Sequence, residues 1–187
     1  LKQYSIDEVE ALCRRWVETL VVGQNLCPFA APVVKNATLR YAVCAETEPQ
    51  QIAEGFLQEL ELIHQSGEDE IATTLFITPY ALADFYDYLD MLALLEDLLK
   101  QSGLAGTFQL ASFHPAYLFG GVPADDLSHW TNRMPFPCFH IIREGQMSRV
   151  LMNYPDPDAI PERNMELMRS LGRDGLIELF PPFADYC

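Results

Sequence analysis

IATTLFIT, residues 71–78, is the stretch on which the fold turns. It is rich in β-branched residues and carries no charge, the pattern of a central strand buried on both faces. Upstream, residues 48–65 place Ile52, Phe56, Leu60 and Ile63 on one helical stripe. Before that helix, TLRYAVC at 38–44 alternates with period two, as a half-buried strand does. Downstream, residues 82–101 read as the longest helix, with Gly103 just past its end, and residues 107–112 as another strand. Strand, helix, strand, helix, strand predicts helices packed on a parallel sheet through right-handed crossovers.

Residues 136–143, FPCFHIIR, add a fourth strand, whose Pro137 lacks an N–H and belongs at the strand's beginning or on an edge. The expected fold class is α/β, with α+β as the alternative. It would be a two-layer or three-layer sandwich around a mostly parallel sheet of about four strands. An amphipathic helix over 5–22 opens the chain, with Ser5 as cap, Glu8 as its capping-box partner and Gly23 as its stop. GQNLCPFAAP at 23–32 reads as a loop, and residues 160–171 as a last helix stopped by Gly172. The 187 residues suit a single domain, 1–187.

The net charge of −15 is unevenly spread, for residues 41–132 hold 15 acidic side chains and one basic, Lys100. Such a surface repels phosphate backbones and anionic headgroups, so neither nucleic acid nor a membrane is an expected partner. The five cysteines follow no disulfide or zinc-finger spacing, and no secretory leader or membrane span is read. Reduced thiols in a cytoplasmic protein fit that usage. GxGxxG, GxxxxGK[ST] and GxSxG motifs are absent, and Gly120-Gly121 is too little for a phosphate cradle.

FHPAYLFGGVPADDLSHWTNRMP, residues 113–135, breaks the alternation. A loop this long in a compact domain is usually functional or disordered, and its aromatic residues argue for an ordered one. His114, Tyr117, Asn132 and Arg133 lie in it, and His140 and Arg143 follow on the fourth strand. His114 and His140 suit general acid–base work at neutral pH, and each suits equally a histidine hydrogen-bonded within the core. Arg133 and Arg143 are the only basic residues of 101–146 and could grip a carboxylate or phosphate, or pair with nearby acids. His129 is read as solvated. Cys138 shares a strand face with His140 and reads as a small packed hydrophobe. Cys27 is a candidate nucleophile only if a histidine or arginine from the later segment meets it, because the helix end before it does not favour a thiolate.

NLCPFA at 25–30, FHPAYLFGG at 113–121, NRMPFPCFHIIRE at 132–144 and YPDPDAIPERN at 154–164 together resemble a bacterial family, domain of unknown function 1415. The resemblance covers nearly the whole chain, and no activity or cofactor is established for the family. It implies that Cys27, His114, Tyr117, Asn132, Arg133, His140 and Arg143 occupy motif positions. A small polar residue is usual in the family where Met134 stands here, so any ligand hydrogen bond from that position is missing from this chain.

Three functions compete. One is an enzyme or binding protein for a small anionic metabolite. Arg133, Arg143, Asn132 and Tyr117 would bind it, while His114, His140 and Cys27 carry the chemistry. A second is a zinc or iron site assembled from His114, His140, Cys27 or Cys138 with Asp125 or Asp126. The third is a non-catalytic interaction module presenting its acidic surface and its FPPFADYC tail to a protein partner. Cofactor, metal and oligomeric state stay open at this point.

Overall fold

The computed structural model describes residues 4–187. Helix α1, Ile6–Trp16, starts on the expected capping box: Glu8 N–H donates to the Ser5 hydroxyl, and the Glu8 carboxylate accepts from the Ser5 N–H. The chain then runs on as a π-helical segment, Val17–Val22. There Gly23 N–H reaches the Glu18 carbonyl and Leu26 N–H the Val21 carbonyl, each five residues back. Gly23 keeps a right-handed φ of −60°, so it is not the expected left-handed stop. It is glycine for another reason: a Cβ there would lie 2.3 Å from the Thr19 carbonyl oxygen.

The segment expected as a loop at 23–32 contains the start of a short helix, α2, Ala30–Lys35. Strand β1, Leu39–Val43, helix α3, Pro49–Gln65, strand β2, Thr73–Ile77, helix α4, Phe85–Gln101, and strand β3, Phe108–Phe113, follow in the expected order. All five residues of β2 are buried. Asp84 caps α4 by accepting from Tyr86 N–H and Asp87 N–H, and Gly103 takes the left-handed turn after it with φ 71°. Strand β4, Cys138–Arg143, leads directly into helix α5, Glu144–Met152, which the sequence reading lacked. Helix α6, Ile160–Leu179, is broken at the expected stop, where Gly172 (φ 68°, ψ 169°) leaves helical geometry, and a second helical run then continues to Leu179.

The sheet order is β1-β2-β4-β3. β1 and β2 pair in parallel, whereas β4 is antiparallel to both of its neighbours. The expected mostly parallel sheet is thereby corrected to a mixed one. The physical cause is the β3–β4 connection. The connection holds only a short 3-10 turn, Leu127–Thr131, and no crossover helix, so the strand after it runs back beside β3 and fills the slot between β3 and β2. Pro137 sits just before β4, where its missing N–H costs no ladder bond.

The architecture is a three-layer α/β sandwich. On one face α3 and α4 pack through Ile52, Phe56, Tyr88 and Leu95 against Phe76, Phe139 and Ile141. On the other, α1 and α6 pack through Val9, Cys13, Trp16, Met168 and Leu176 against Leu75, Ile77 and Cys138. Alternation along β4 sends Cys138 to the α1 face and Arg143 to the α3 face. Among the described residues, no helix is long and apolar enough to cross a membrane.

Candidate functional site

Between the sheet and the α1 layer lies an inner cavity of about 190 Å³. Trp16, Val17 and Val21 form one wall, Phe29, Ala30 and Val33 of the α2 region another, and Leu75, Ala111, Phe113 and Ile142 the floor. Its polar side chains are Cys27, Thr73 and His140. The wall from Val17 to Val22 is the π-helical turn, a device often found at functional sites because the slipped hydrogen bonds re-aim side chains.

His140 stands on β4 opposite Leu75 and Ala111. Its Nε2 lies 2.7 Å from the Thr73 hydroxyl, and that hydroxyl donates its single proton to the Ile141 carbonyl at 2.7 Å. The hydroxyl therefore accepts from the imidazole, which places the ring proton on Nε2 and leaves a lone pair on Nδ1. Nδ1 has no hydrogen-bond partner among the described residues. Burial in these apolar surroundings lowers the His140 pKa from 6.5 to about 4, so the ring is neutral at physiological pH.

Cys27 is half-buried on the same cavity. Burial raises its pKa, and the nearby backbone N–H groups of Phe29 and Ala30 oppose that rise, the Ala30 N–H donating to the Cys27 carbonyl at 3.2 Å. Reading 23–32 as a plain loop hid these two donors. Cys27 also faces a second, outer groove of about 490 Å³ lined by Leu26, Phe119, Val122, Thr131, Asn132, Ile160, Pro161 and Asn164. Val21, Cys27 and Phe113 belong to both linings, so the thiol sits at the junction of the two hollows. Among the described residues, no Lys, Arg, Asp or Glu lines either hollow.

The loop 24–27 is held from α6. Arg163 donates to the Asn25 carbonyl at 2.6 Å, and Asn164 Nδ2 donates to the Leu26 carbonyl at 2.7 Å. Asn25 itself takes a left-handed φ of 51°. Such strain in a non-glycine residue costs on the order of 1 kcal/mol and persists where the surroundings fix it.

Of the other expected site residues, Asn132 alone lines one of the two hollows. His114 is almost fully buried. Its Nδ1 accepts from Ala116 N–H at 3.0 Å, and its Nε2 donates to the Leu82 carbonyl at 2.9 Å. Both nitrogens are therefore occupied, and the ring braces Leu82, which holds a left-handed φ of 58° just before α4. Burial lowers the His114 pKa, with the Leu82 carbonyl acting the other way. His129, expected in solvent, is fully buried: it accepts from Phe119 N–H at 3.0 Å and donates to the Pro123 carbonyl at 2.8 Å. These two bonds shape the 119–129 turn, which is why water is shut out.

Arg143 spends its guanidinium on the carbonyls of Ile71, Ile63 and Ser66, tying the C-terminus of α3 to the start of β2. Arg133 donates from Nε to the Tyr117 carbonyl and lies over Trp130, while its own carbonyl accepts from the Trp16 indole at 2.9 Å. Asp126 is taken by Arg169 in a forked pair, not by Arg133. Neither of the arginines expected to hold an anion lines either hollow. Tyr117 packs on Phe85 and Phe119 with its hydroxyl 3.3 Å from Ser112, also outside both linings. Asn132 donates to the Ser112 carbonyl at 3.1 Å and lines the outer groove.

Cys138 is fully buried in the core, where burial keeps its thiol protonated, and Met134 is buried beside it. Among the described residues, no group of three or more His, Cys, Asp or Glu is placed to hold a metal ion.

The four stretches quoted for the resemblance meet here. Leu26 and Cys27 come from the first, Phe113 and Phe119 from the second, Asn132 from the third, and Ile160, Pro161 and Asn164 from the fourth. A family model described as protein of unknown function, DUF1415, matches residues 8–178. The chain belongs to that family. Neither the comparison with curated proteins nor that with solved structures gave a match. Of the positions through which this DUF1415 chain resembles its family, Cys27 and His140 reach the inner cavity and Asn132 the outer groove. Sequence reading missed Thr73, which orients His140, and Asn164, which holds the Cys27 loop. The signals were present: a hydroxyl on a fully buried strand needs a partner, and Asn164 closes the fourth quoted stretch.

Proposed function

We propose that the protein is an enzyme of thiol chemistry acting on a small neutral molecule, with Cys27 as nucleophile and His140 as proton acceptor. The observation that carries the reading is that both residues open onto one apolar cavity although they lie far apart in the chain. Both rest uncharged, since burial raises the thiol pKa and lowers that of the imidazole. The proton would leave sulfur only as the new bond to sulfur forms, passing to the unpartnered Nδ1, while the Phe29 and Ala30 N–H groups stabilise the developing charge. The expectation of an anionic metabolite finds no cation in either lining, and a neutral ligand suits a site without charged side chains.

The test is alkylation of the intact protein by iodoacetamide at neutral pH, with the modified cysteine located by peptide mass mapping. Cys27 should react, and His140→Ala should slow it about a hundredfold, the lower end of the usual range for a lost proton acceptor. Cys187, half-buried near Arg133, provides an internal comparison that should not change. A Cys27 rate indifferent to His140 would refute the reading.

A further inference from the structure

The site has two compartments of different character, and the thiol stands between them. The inner cavity offers carbon almost everywhere, with Trp16, Phe29, Val33, Leu39, Leu75 and Ile142 around it. The outer groove adds the neutral polar side chains of Thr131, Asn132 and Asn164 to an apolar wall. A reagent attacked at the junction would have one part in each compartment. The two parts would separate when the bond at the reacting carbon breaks.

From this arrangement we infer that the substrate is a neutral ester or thioester whose compact apolar acyl group fills the inner cavity and whose leaving group lies in the outer groove. The inference rests on the thiol reading above and specifies its substrate class. The chemistry balances without a further cofactor. Cys27 sulfur adds to the carbonyl carbon as its proton moves to His140. The bond to the leaving oxygen or sulfur then breaks, and that atom takes the proton back from the imidazole and departs as alcohol or thiol. Water, activated by the same imidazole, then cleaves the acyl–sulfur bond and releases the carboxylic acid.

Size follows from the volume. A cavity of about 150 Å³ lined by apolar residues accepts benzene. The inner cavity, at about 190 Å³, therefore takes an acyl group of roughly six to eight carbons. Ala111 sits on its floor, directly opposite His140 in the sheet. A larger side chain at that position would shorten the space.

The experiment uses p-nitrophenyl esters of straight-chain acids, from two carbons to twelve, on the full chain. Nitrophenolate release and the mass of the acyl adduct on Cys27 are followed together. The expected result is an adduct on Cys27 and a rate that peaks near six to eight carbons and falls at least about tenfold by twelve, where the tail exceeds the cavity. Ala111→Leu should move the peak to shorter acids, and Cys27→Ala should abolish both adduct and peak. If iodoacetamide modifies Cys27 in a His140-dependent way but no acyl adduct forms, or the rates show no length optimum in the wild type, the substrate assignment fails and the thiol reading stands. If Cys27 takes neither reagent, both fall. Because the optimum is read on the wild type, the proposal stays exposed even if Ala111→Leu does not fold.

Discussion

Acidification should destabilise the fold through His140, and the size of the effect follows from its surroundings. The cavity holds the imidazole neutral to about pH 4, whereas in the unfolded chain it takes a proton near 6.5. Below 6.5 the unfolded state binds a proton that the folded state refuses, so falling pH favours unfolding. The stabilisation is complete above the unfolded pKa and is lost between 6.5 and about 4. At about 1.4 kcal/mol per tenfold difference in proton affinity, the whole window is worth about 3 kcal/mol. Burial lowers the His114 pKa as well, which adds in the same direction. The carboxylates contribute their own acid sensitivity, but equally in a variant that lacks the imidazole. We therefore compare wild type with His140→Phe by urea unfolding, followed by circular dichroism, from about pH 7 to about pH 4.5. The wild type should lose about 2–3 kcal/mol more than the variant over that range. Parallel losses in the two proteins would mean that His140 is solvated or charged in the folded state, and the cavity's apolar character would have to be abandoned.

Arg143→Met removes three charge-assisted bonds to the carbonyls of Ile71, Ile63 and Ser66. It should cost about 3 kcal/mol or more in chemical denaturation while leaving the rate of Cys27 alkylation unchanged. A stable variant with altered Cys27 reactivity would instead make Arg143 part of the site. Gly23→Ala forces a Cβ to within 2.3 Å of the Thr19 carbonyl oxygen. The π-helical turn must shift, at a cost of about 1–3 kcal/mol. Because that turn carries Val17 and Val21, Cys27 alkylation should change too, and an unaltered melting temperature would disprove the tight approach.

The strands and main helices were readable because their signals are periodic. The alternation of TLRYAVC, the apolar run of IATTLFIT and the helical stripe of Ile52, Phe56, Leu60 and Ile63 each report local geometry. Strand direction leaves no such trace. β4 reads the same either way, and only the missing crossover helix between Phe113 and Cys138 hinted that it would run back. The π-helical turn was also hidden, because a slip in backbone bonding leaves the apolar spacing of 5–22 nearly intact. At the site, residue type singled out Cys27 and His140, but it singled out His114, Tyr117, Asn132, Arg133 and Arg143 as well, and it left the buried His129 in solvent. What separates these histidines in the structure is the state of their ring nitrogens. His114 and His129 have both ring nitrogens occupied, and His140 has one free of partners among the described residues. That distinction is tertiary, and no pattern along the chain carries it.

The antiparallel strand wedged into the middle of the sheet also governs how the protein can assemble. As the chain leaves the ribosome, β1, β2 and β3 emerge first, yet β2 and β3 never touch as neighbours. Residues 73–77 present an unpaired apolar edge until residues 138–142 arrive to cover it. Pairing across so long a stretch is slow, because the entropy of closing the loop must be met before any contact forms. Nascent chains stalled short of β4 would therefore expose a sticky strand, and they would be the form that chaperones hold or proteases clear.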